Sequence, residues 1–291
     1  MNVALVYDGA TLERFLSTSH PHISVDVWVQ RARLGHLAID GRVVQSLDVR
    51  VRAGNRLVHT IPQEIEPEVS VDLRFLYEDD ALMVLGKPAP LAIHPCGRYN
   101  RNSLLPLLAH VFGENGWRPV HRLDADTTGL MVLAKTPAAA RHLGRQFEAR
   151  TVLKLYLARI AAVPPEPRFS CDLAVTDAPG LLGKRSTHAA PKARRSGPAG
   201  AFTAFEHIAT VGRESLVTAA PSSGRTNQIR VHLAALGFPI VGDDAYSGNE
   251  EFTTGRTTLC LHAWRLAFKH PDDDRPLAFE DQRPAWAQDS A

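Results

Sequence analysis

Apolar and polar residues alternate in ways that predict short helices and strands at the start of the chain. Thr11–Leu16 and Val27–Leu37 carry apolar residues at helical spacing, and each predicts a short helix. Leu37–Val44 predicts two strands joined by an Asp-Gly turn, and Val49–His59 predicts a further strand pair across an Ala-Gly-Asn turn. These elements indicate a small α/β module.

A change of pattern near Ile61–Val69 predicts a boundary between two domains. This segment carries two Pro and three Glu and is typical of a linker. We therefore expect an N-terminal module over residues 1–66 and a second domain over residues 67–291. In the second domain, residues 73–88 predict a hairpin, Leu153–Ile160 alternates as a strand, and Leu259–Phe268 predicts another strand.

Two helices of the second domain have recognisable ends. Thr136 and Pro137 predict the start of a helix that runs to about Ala149. Thr226 predicts the N-cap of a later helix, which Gly237 ends in the left-handed conformation. Hairpins together with isolated helices favour an α+β fold with a mixed, largely antiparallel central sheet and flanking helices.

Composition narrows the class of protein and its compartment. The chain has 291 residues, of which 44% are hydrophobic and 22% charged, values typical of a globular protein. No apolar run reaches the roughly 20 residues of a membrane helix, and Met1–Ala10 does not resemble an export signal. The three cysteines have no metal-binding or disulfide-framework spacing. We expect a cytoplasmic monomer with no membrane contact and no metal.

Basic residues are concentrated in one segment although the net charge is only +2. Residues 164–200 are rich in Pro, Gly and Ala, which predicts a loop, and no acidic residue lies between Gly180 and Phe205. Arginine and lysine bind phosphate, but a basic loop can also be simply solvated. The residues at which we expect contacts with phosphate groups, such as those of a nucleic-acid backbone, are Lys184, Arg185, Arg194 and Arg195.

The strongest chemical signal is a polar turn that leads into a buried strand. The turn begins at Asp124, and the apolar run Leu130–Ala134 predicts a strand buried on both faces. A carboxylate at the mouth of such a strand is well placed for catalysis, although Asp-x-Asp-Thr is also good turn chemistry. An arginine held against Asp124 would keep it ionised, so that it could attack an electrophilic carbon without a metal. Tyr156 offers a ring on which a base could stack.

Three runs in fixed order resemble the RluA branch of the pseudouridine synthase family. They are HRLDADTTGLMVLAKT, LKLYLARI and GRTNQIRVHLAALGFPIVGDDAY, and the resemblance covers most of Val71–Pro271. It implies the fold of that family, an RNA substrate and no cofactor. The N-terminal module resembles a small RNA-binding module first known from a small-subunit ribosomal protein; a packing domain without RNA contacts is the alternative.

The resemblance also implies roles for single residues. Asp124 matches the catalytic aspartate, which attacks the ribose of a target uridine or assists departure of the base, after which the uracil turns and rejoins through C5. Tyr156 matches the aromatic residue that stacks on the base, and Arg230 matches the partner of the carboxylate. Arg122 matches the arginine that holds the flipped-out nucleotide or fills its place. The other residues at which we expect substrate contacts are Ile229, Leu130, Arg225, Asn227 and Lys154.

One departure from the family pattern keeps other functions open. Asn227 stands where the family usually has His, and Asn cannot titrate near neutrality. An RNA-binding or ribosome-assembly factor with the same fold and little turnover is therefore the main alternative. A glycoside or nucleoside hydrolase that uses Asp124 and Asp126 is a third hypothesis. We expect an RNA pseudouridine synthase acting on structured RNA, ribosomal RNA more than transfer RNA.

Overall fold

The structure is a computed structural model that describes residues 1–21, 23–60, 65–96, 99–113, 116–175, 187–188, 200–247 and 258–288. The chain divides into two units, Met1–Ile65 and Glu66–Ala291. The first unit has its own hydrophobic core, built around Trp28, Leu12 and Leu57.

The first unit consists of two helices and a three-stranded sheet. Its elements are α1 (Leu12–Ser19), α2 (Val25–Arg33), β1 (Leu37–Ile39), β2 (Arg42–Val43) and β3 (Leu57–His59), with the strand order β2-β1-β3. The Thr11 hydroxyl accepts a hydrogen bond from the Arg14 amide at 3.3 Å and so caps α1. Asp40 and Gly41 both have positive φ, 48° and 80°, as the predicted Asp-Gly hairpin turn requires.

The predicted pairing within Val49–His59 is wrong. The Val51 amide donates to the Ala10 carbonyl at 2.9 Å, and the Leu12 amide donates to the Val49 carbonyl at 2.8 Å. This segment therefore bonds to the chain that precedes α1, while β3 pairs with β1. Val51 is fully buried in the core of this unit. This burial, and not the local Ala-Gly-Asn turn, determines which segment Val51 pairs with.

The second unit is organised around one large sheet. Its elements are β4 (Arg74–Glu78), β5 (Leu82–Lys87), α3 (Leu104–Phe112), β6 (Arg118–Pro119), β7 (Thr128–Ala134), α4 (Pro137–Glu148), β8 (Leu153–Ile160), β9 (Arg168–Cys171), β10 (Ala174–Val175), β11 (Thr187–His188), β12 (Thr203–Val211), β13 (Glu214–Pro221), α5 (Gln228–Ala235), β14 (Leu261–Lys269) and β15 (Pro276–Glu280). Ten strands form the sheet in the order β4-β5-β7-β14-β8-β13-β12-β9, with β6 beside β7 and β15 beside β14.

Most neighbouring strands of this sheet are antiparallel. Within the described ranges, β7 and β14 are the one parallel pair, joined by the partners His262 with Thr128 and Ala263 with Gly129. The prediction of an α+β fold with a mixed, largely antiparallel sheet is confirmed. The parallel contact brings the start of β7, directly after the polar turn, against the start of β14.

Strand β7 is buried on both faces, as its apolar run predicts. Leu130 and Val132 pack with Leu143 of α4, whereas Met131 and Leu133 pack on the other side in a cluster that contains residues of α3. Because both faces are covered, the strand is a rigid base for the turn that precedes it.

Residues 164–200, which we predicted as a loop, contain β9, β10 and β11. Strand β9 pairs with β12, in the register Phe169 with Phe205, and these two rings stack with centroids 5.0 Å apart. The partner strand is distant in sequence, so no local alternation identifies so short an element.

The turn between β4 and β5 is tied to the end of β14 by a partly buried carboxylate, that of Asp79. Asp79 accepts hydrogen bonds from the Ala81 and Leu82 amides at 2.8 and 2.9 Å and from the Tyr77 hydroxyl at 2.5 Å. His270 Nε2 lies 2.8 Å from the same carboxylate. Burial alone would raise the pKa of Asp79, but these bonds together lower it from 3.8 to about 2.

We expect Asp79→Asn to lower the free energy of unfolding by about 2 kcal/mol at pH 7. A depressed folded-state pKa stabilises the protein above the unfolded-state value of 3.8, and this contribution disappears as pH falls towards about 2. The difference between variant and wild type should therefore close between about pH 4 and pH 2. Urea unfolding at several pH values measures it, with Asp80→Asn as the control in the same turn. A difference that stays constant down to about pH 2 contradicts the prediction.

Candidate active site

A cavity of about 320 Å³ lies beside the polar turn that precedes β7. Its walls come from this turn, from the end of α4, from β8 and from the segment that runs from β13 into α5. The predicted residues that line it are Asp124, Tyr156, Arg230, Arg122, Ile229, Arg225, Asn227 and Lys154. The fold thus brings together three segments that are far apart in sequence.

The centre of the cavity wall is an ion pair between Asp124 and Arg230. Arg230 Nη1 lies 3.3 Å from Asp124 Oδ2, and the two side chains are 12% and 20% exposed. Arg230 also bonds to Asp243, with Nε and Nη2 donating to the two carboxylate oxygens at 2.8 and 2.7 Å. Burial alone would lower the pKa of Arg230, but the two carboxylates raise it overall, so the guanidinium remains charged.

Tyr156 lies on the cavity wall as a neutral phenol. Its side chain is partly buried and packs against two hydrophobic clusters of the second unit. Burial, and then the negative charge of Asp124, raise the pKa of its hydroxyl. The residue therefore offers a fixed aromatic face and a hydroxyl that keeps its proton beside the carboxylate.

Lys154 and His121 stiffen the cavity walls. Lys154 Nζ donates to the Ser223 carbonyl at 3.0 Å, and burial, followed by the charge of Arg150, lowers its pKa to about 8. His121 Nε2 accepts from the Val132 amide at 3.0 Å, and burial lowers its pKa to about 3, so the ring is neutral. His121 was not predicted as a site residue, since its partner belongs to the following strand and no spacing in the sequence reveals it.

Asn227, and not Thr226, occupies the N-cap position of α5. Its φ of 58° and ψ of 18° are left-handed, a conformation that Asn tolerates better than most residues. Its side chain accepts from Arg230 Nη1 at 3.3 Å and donates to the Tyr246 hydroxyl at 2.9 Å. The predicted cap at Thr226 is wrong because the chain must turn through this conformation before α5 begins.

Leu130 does not line the cavity, so its predicted place in the pocket is wrong. Its side chain is 1% exposed and belongs to the cluster between β7 and α4. Alternation along β7 directs this residue under the helix. The predicted RNA contacts Lys184, Arg185, Arg194 and Arg195 lie outside the described residues.

A buried lysine supports the polar turn from below. Lys87 is 1% exposed, and its Nζ donates to the carbonyls of Pro88, Leu91 and Ala125 at 2.8, 2.8 and 3.0 Å. Burial lowers its pKa to about 7, although the charges of Asp126 and Asp124 act against this. Ala125 directly follows Asp124, so Lys87 holds the backbone that presents the carboxylate. The sequence marks it only as the lysine that ends a strand.

The described part of the chain contains no cluster of three or more His, Cys, Asp and Glu that could hold a metal ion. None of its helices is both long enough and apolar enough to cross a membrane. The described residues that line the cavity supply a carboxylate paired with a guanidinium, a phenol and an apolar wall at Ile229. Such a site can hold a planar ring and attack a carbon beside it.

Comparisons with known proteins agree on one family. The family model described as RNA pseudouridylate synthase matches residues 81–235, a range that contains Asp124, Tyr156 and Arg230. An uncharacterised RNA pseudouridine synthase of Synechocystis is 33% identical over 273 residues, which cover 90% of this chain and 82% of that protein. The mitochondrial tRNA pseudouridine(32) synthase of Saccharomyces cerevisiae is 34% identical over 238 residues, which cover 78% of this chain and 50% of that protein.

A solved structure is similar over about three quarters of this chain. The human protein described as RNA pseudouridylate synthase domain containing 1 superposes with a TM-score of 0.60 at 27% identity, covering 76% of this chain and 87% of that one.

Proposed function

The chain belongs to the RNA pseudouridylate synthase family, and we propose that Asp124 is the residue with which it converts uridine to pseudouridine. The predicted family and the predicted enzyme class, an RNA pseudouridine synthase, are confirmed. The observation that carries the assignment of Asp124 is its pairing with Arg230 at 3.3 Å on the wall of a cavity that also contains Tyr156.

The reaction breaks the bond between C1′ of the ribose and N1 of the uracil and makes one between C1′ and C5. The Asp124 carboxylate attacks C1′ while the base departs, the uracil turns within the cavity, and C5 then bonds to C1′ as the carboxylate leaves. The proton lost from C5 is matched by one gained at N1, so the step is an isomerisation. We propose that the Tyr156 hydroxyl, which keeps its proton near Asp124, takes part in that proton transfer.

The other cavity residues bind and orient the nucleotide. The target uridine must leave its stack to reach Asp124, at a cost of a few kcal/mol. Tyr156 and Ile229 supply faces for the extruded base. Arg122 is exposed at the rim, where its guanidinium can bind phosphate or fill the vacated place, and Arg225 lies nearby on the same cavity.

We favour ribosomal RNA as the substrate, with the N-terminal unit and the basic loop adding RNA contacts. Related enzymes with a small N-terminal RNA-binding module often act on ribosomal RNA, and this unit has the helix, helix and hairpin order of such a module. Transfer RNA is the second candidate, since the yeast relative is named for a position in tRNA. We further propose that the protein acts as a monomer and that it acts in the cytoplasm, since the spacing of its three cysteines is not that of a disulfide framework.

Mapping of pseudouridine with carbodiimide tests the function and the substrate together. RNA is taken from cells that lack this gene and carry wild type, Asp124→Asn or no copy. We expect modified positions in ribosomal RNA with wild type alone. Modified positions confined to transfer RNA overturn the choice of ribosomal RNA, whereas identical maps in all three strains overturn catalysis and favour an assembly factor.

We expect Lys87→Met to slow the reaction at least about ten-fold while RNA affinity changes by less than about two-fold. Met has a similar volume but no donor, so the Ala125 carbonyl loses its bond and the turn that holds Asp124 loosens. Single-turnover rates at saturating enzyme measure the effect. Lys135→Met is the control, because Lys135 bonds to Glu78 at the opposite end of β7. Equal rates for wild type and Lys87→Met contradict this role.

A further inference from the structure

We propose that Asp243 is a positioning residue, which orients Arg230 so that Asp124 is paired with the guanidinium and yet free to attack the ribose. This inference rests on the proposed function of Asp124. It concerns a residue that does not line the cavity and reaches the reaction only through Arg230.

The geometry of the guanidinium shows which carboxylate sets its orientation. Asp243 receives two short bonds from Arg230, at 2.8 and 2.7 Å, along one edge of the planar group. Asp124 and Asn227 share the remaining amino group, Nη1, each at 3.3 Å. Bidentate pairing is both stronger and more directional than a single longer contact. Asp243 therefore fixes the plane of the guanidinium, and Asp124 meets only one of its corners.

Asp243 is itself held in place by the backbone around it. Its side chain is fully buried, and Oδ1 also accepts from the Ala245 amide at 3.1 Å. The preceding Gly242 has a φ of 78°, and a Cβ there would lie 2.1 Å from the Thr258 carbonyl oxygen. The turn is thus packed tightly against the chain that leads into β14, and the carboxylate has little freedom to follow Arg230.

A second contact from the same turn closes the other side of Arg230. The Tyr246 ring lies 5.2 Å from the guanidinium carbon, and its hydroxyl accepts from Asn227 Nδ2 at 2.9 Å. Asn227 in turn accepts from Arg230 at 3.3 Å. Asn227, which stands where the family usually has His, therefore bonds to both Arg230 and Tyr246 and helps to hold the guanidinium.

This arrangement has a consequence for the nucleophile. Two carboxylates compete for one guanidinium, and the buried Asp243 takes the bidentate edge. Without Asp243, Arg230 would turn that edge to Asp124, and both carboxylate oxygens would then be bound. Asp243 thereby leaves one oxygen of Asp124 available for C1′.

The test compares Asp243→Asn with wild type on the RNA found by mapping. Displacement of a catalytic group by about 1 Å costs on the order of 100-fold in rate, so we expect a loss of that size in the single-turnover rate. RNA affinity should stay within about two-fold, because Asp243 makes no contact with substrate. Asp244→Asn is the matched control, an exposed neighbour in the same turn, and should retain the wild-type rate.

A double variant separates positioning from a structural role and covers the case in which Asp243→Asn folds poorly. Arg230→Gln together with Asp243→Asn removes both partners of the buried pair, so neither is left as an isolated charge. If Asp243 acts through Arg230, this double variant reacts at the rate of Arg230→Gln alone. A multiplied loss, or a wild-type rate for Asp243→Asn, overturns the proposal. A wild-type protein that forms no pseudouridine would contradict the proposed function itself, and this outcome is distinct from those that contradict the role of Asp243.

Discussion

Asp124→Asn is expected to abolish pseudouridine formation while RNA binding persists. The amide keeps the size and one acceptor oxygen, so Arg230 retains a partner, but the neutral group cannot bond to C1′. Loss of a nucleophile costs on the order of 10⁴-fold or more in turnover. The single-turnover rate with saturating enzyme, together with a binding titration on the same RNA, checks both parts of the expectation.

The control for this variant lies two positions along the same turn. Asp126 is exposed and does not line the cavity, so Asp126→Asn should keep the rate within about two-fold. A comparable loss in both variants would favour a hydrolase that uses the two carboxylates, and release of free uracil would then appear. Residual activity of Asp124→Asn above about one per cent of wild type would contradict its role as nucleophile.

Gly129→Ala is expected to destabilise the second unit by more than about 4 kcal/mol, or to prevent folding. Gly129 has a φ of 109°, and a Cβ there would lie 2.3 Å from the carbonyl oxygen and 2.7 Å from the amide nitrogen of Ala263. These are backbone atoms of the paired strand β14, which cannot move without separating β7 from β14. Unfolding in urea, followed by tryptophan fluorescence, measures the change.

The control isolates the close contact from the cost of the backbone conformation. Gly212 also has a positive φ, 64°, but a Cβ there would meet no atom within 4 Å. Gly212→Ala should therefore cost only about 1 kcal/mol, from strain in the left-handed conformation. If the two variants lose equal stability, the contact with Ala263 does not explain the need for glycine at position 129.

Local patterns predicted those parts of the fold whose partners lie nearby in sequence. The alternating run Leu153–Ile160 has the bounds of β8, and the unbroken run after Gly129 is the buried strand β7. The Thr-Pro signal marks the start of α4. In each of these elements the apolar spacing and the end signals agree with the tertiary packing, so the element forms where the local sequence predicts it.

Parts that depend on distant partners could not be predicted in this way. Strand β9 forms because it pairs with β12, more than 30 positions away in the sequence for each residue pair. Val51 bonds to Ala10 near the start of the chain and not across the turn at Ala53-Gly54-Asn55. Leu130 was assigned to the pocket, but alternation alone does not say which face of a doubly buried strand meets a cavity.

The residues of the candidate site also fall into those that the sequence predicted and those that only the fold reveals. Asp124, Tyr156 and Arg230 were named from family motifs, and the structure brings them to one cavity. Lys87 and Asp243 were not predicted as site residues, because their importance comes from bonds to carbonyls and to a guanidinium that only the folded chain supplies.

The parallel contact between β7 and β14 joins two halves of the sheet, and the three proposed catalytic residues lie on both sides of this contact. Asp124 is carried by the half with β4, β5 and β7, whereas Tyr156 and Arg230 belong to the half with β8, β13 and α5. The distance between Asp124 and Arg230 therefore depends on how closely the two halves of the sheet pack together. Substitutions that separate β7 from β14 should therefore lower activity and stability together, as expected for Gly129→Ala.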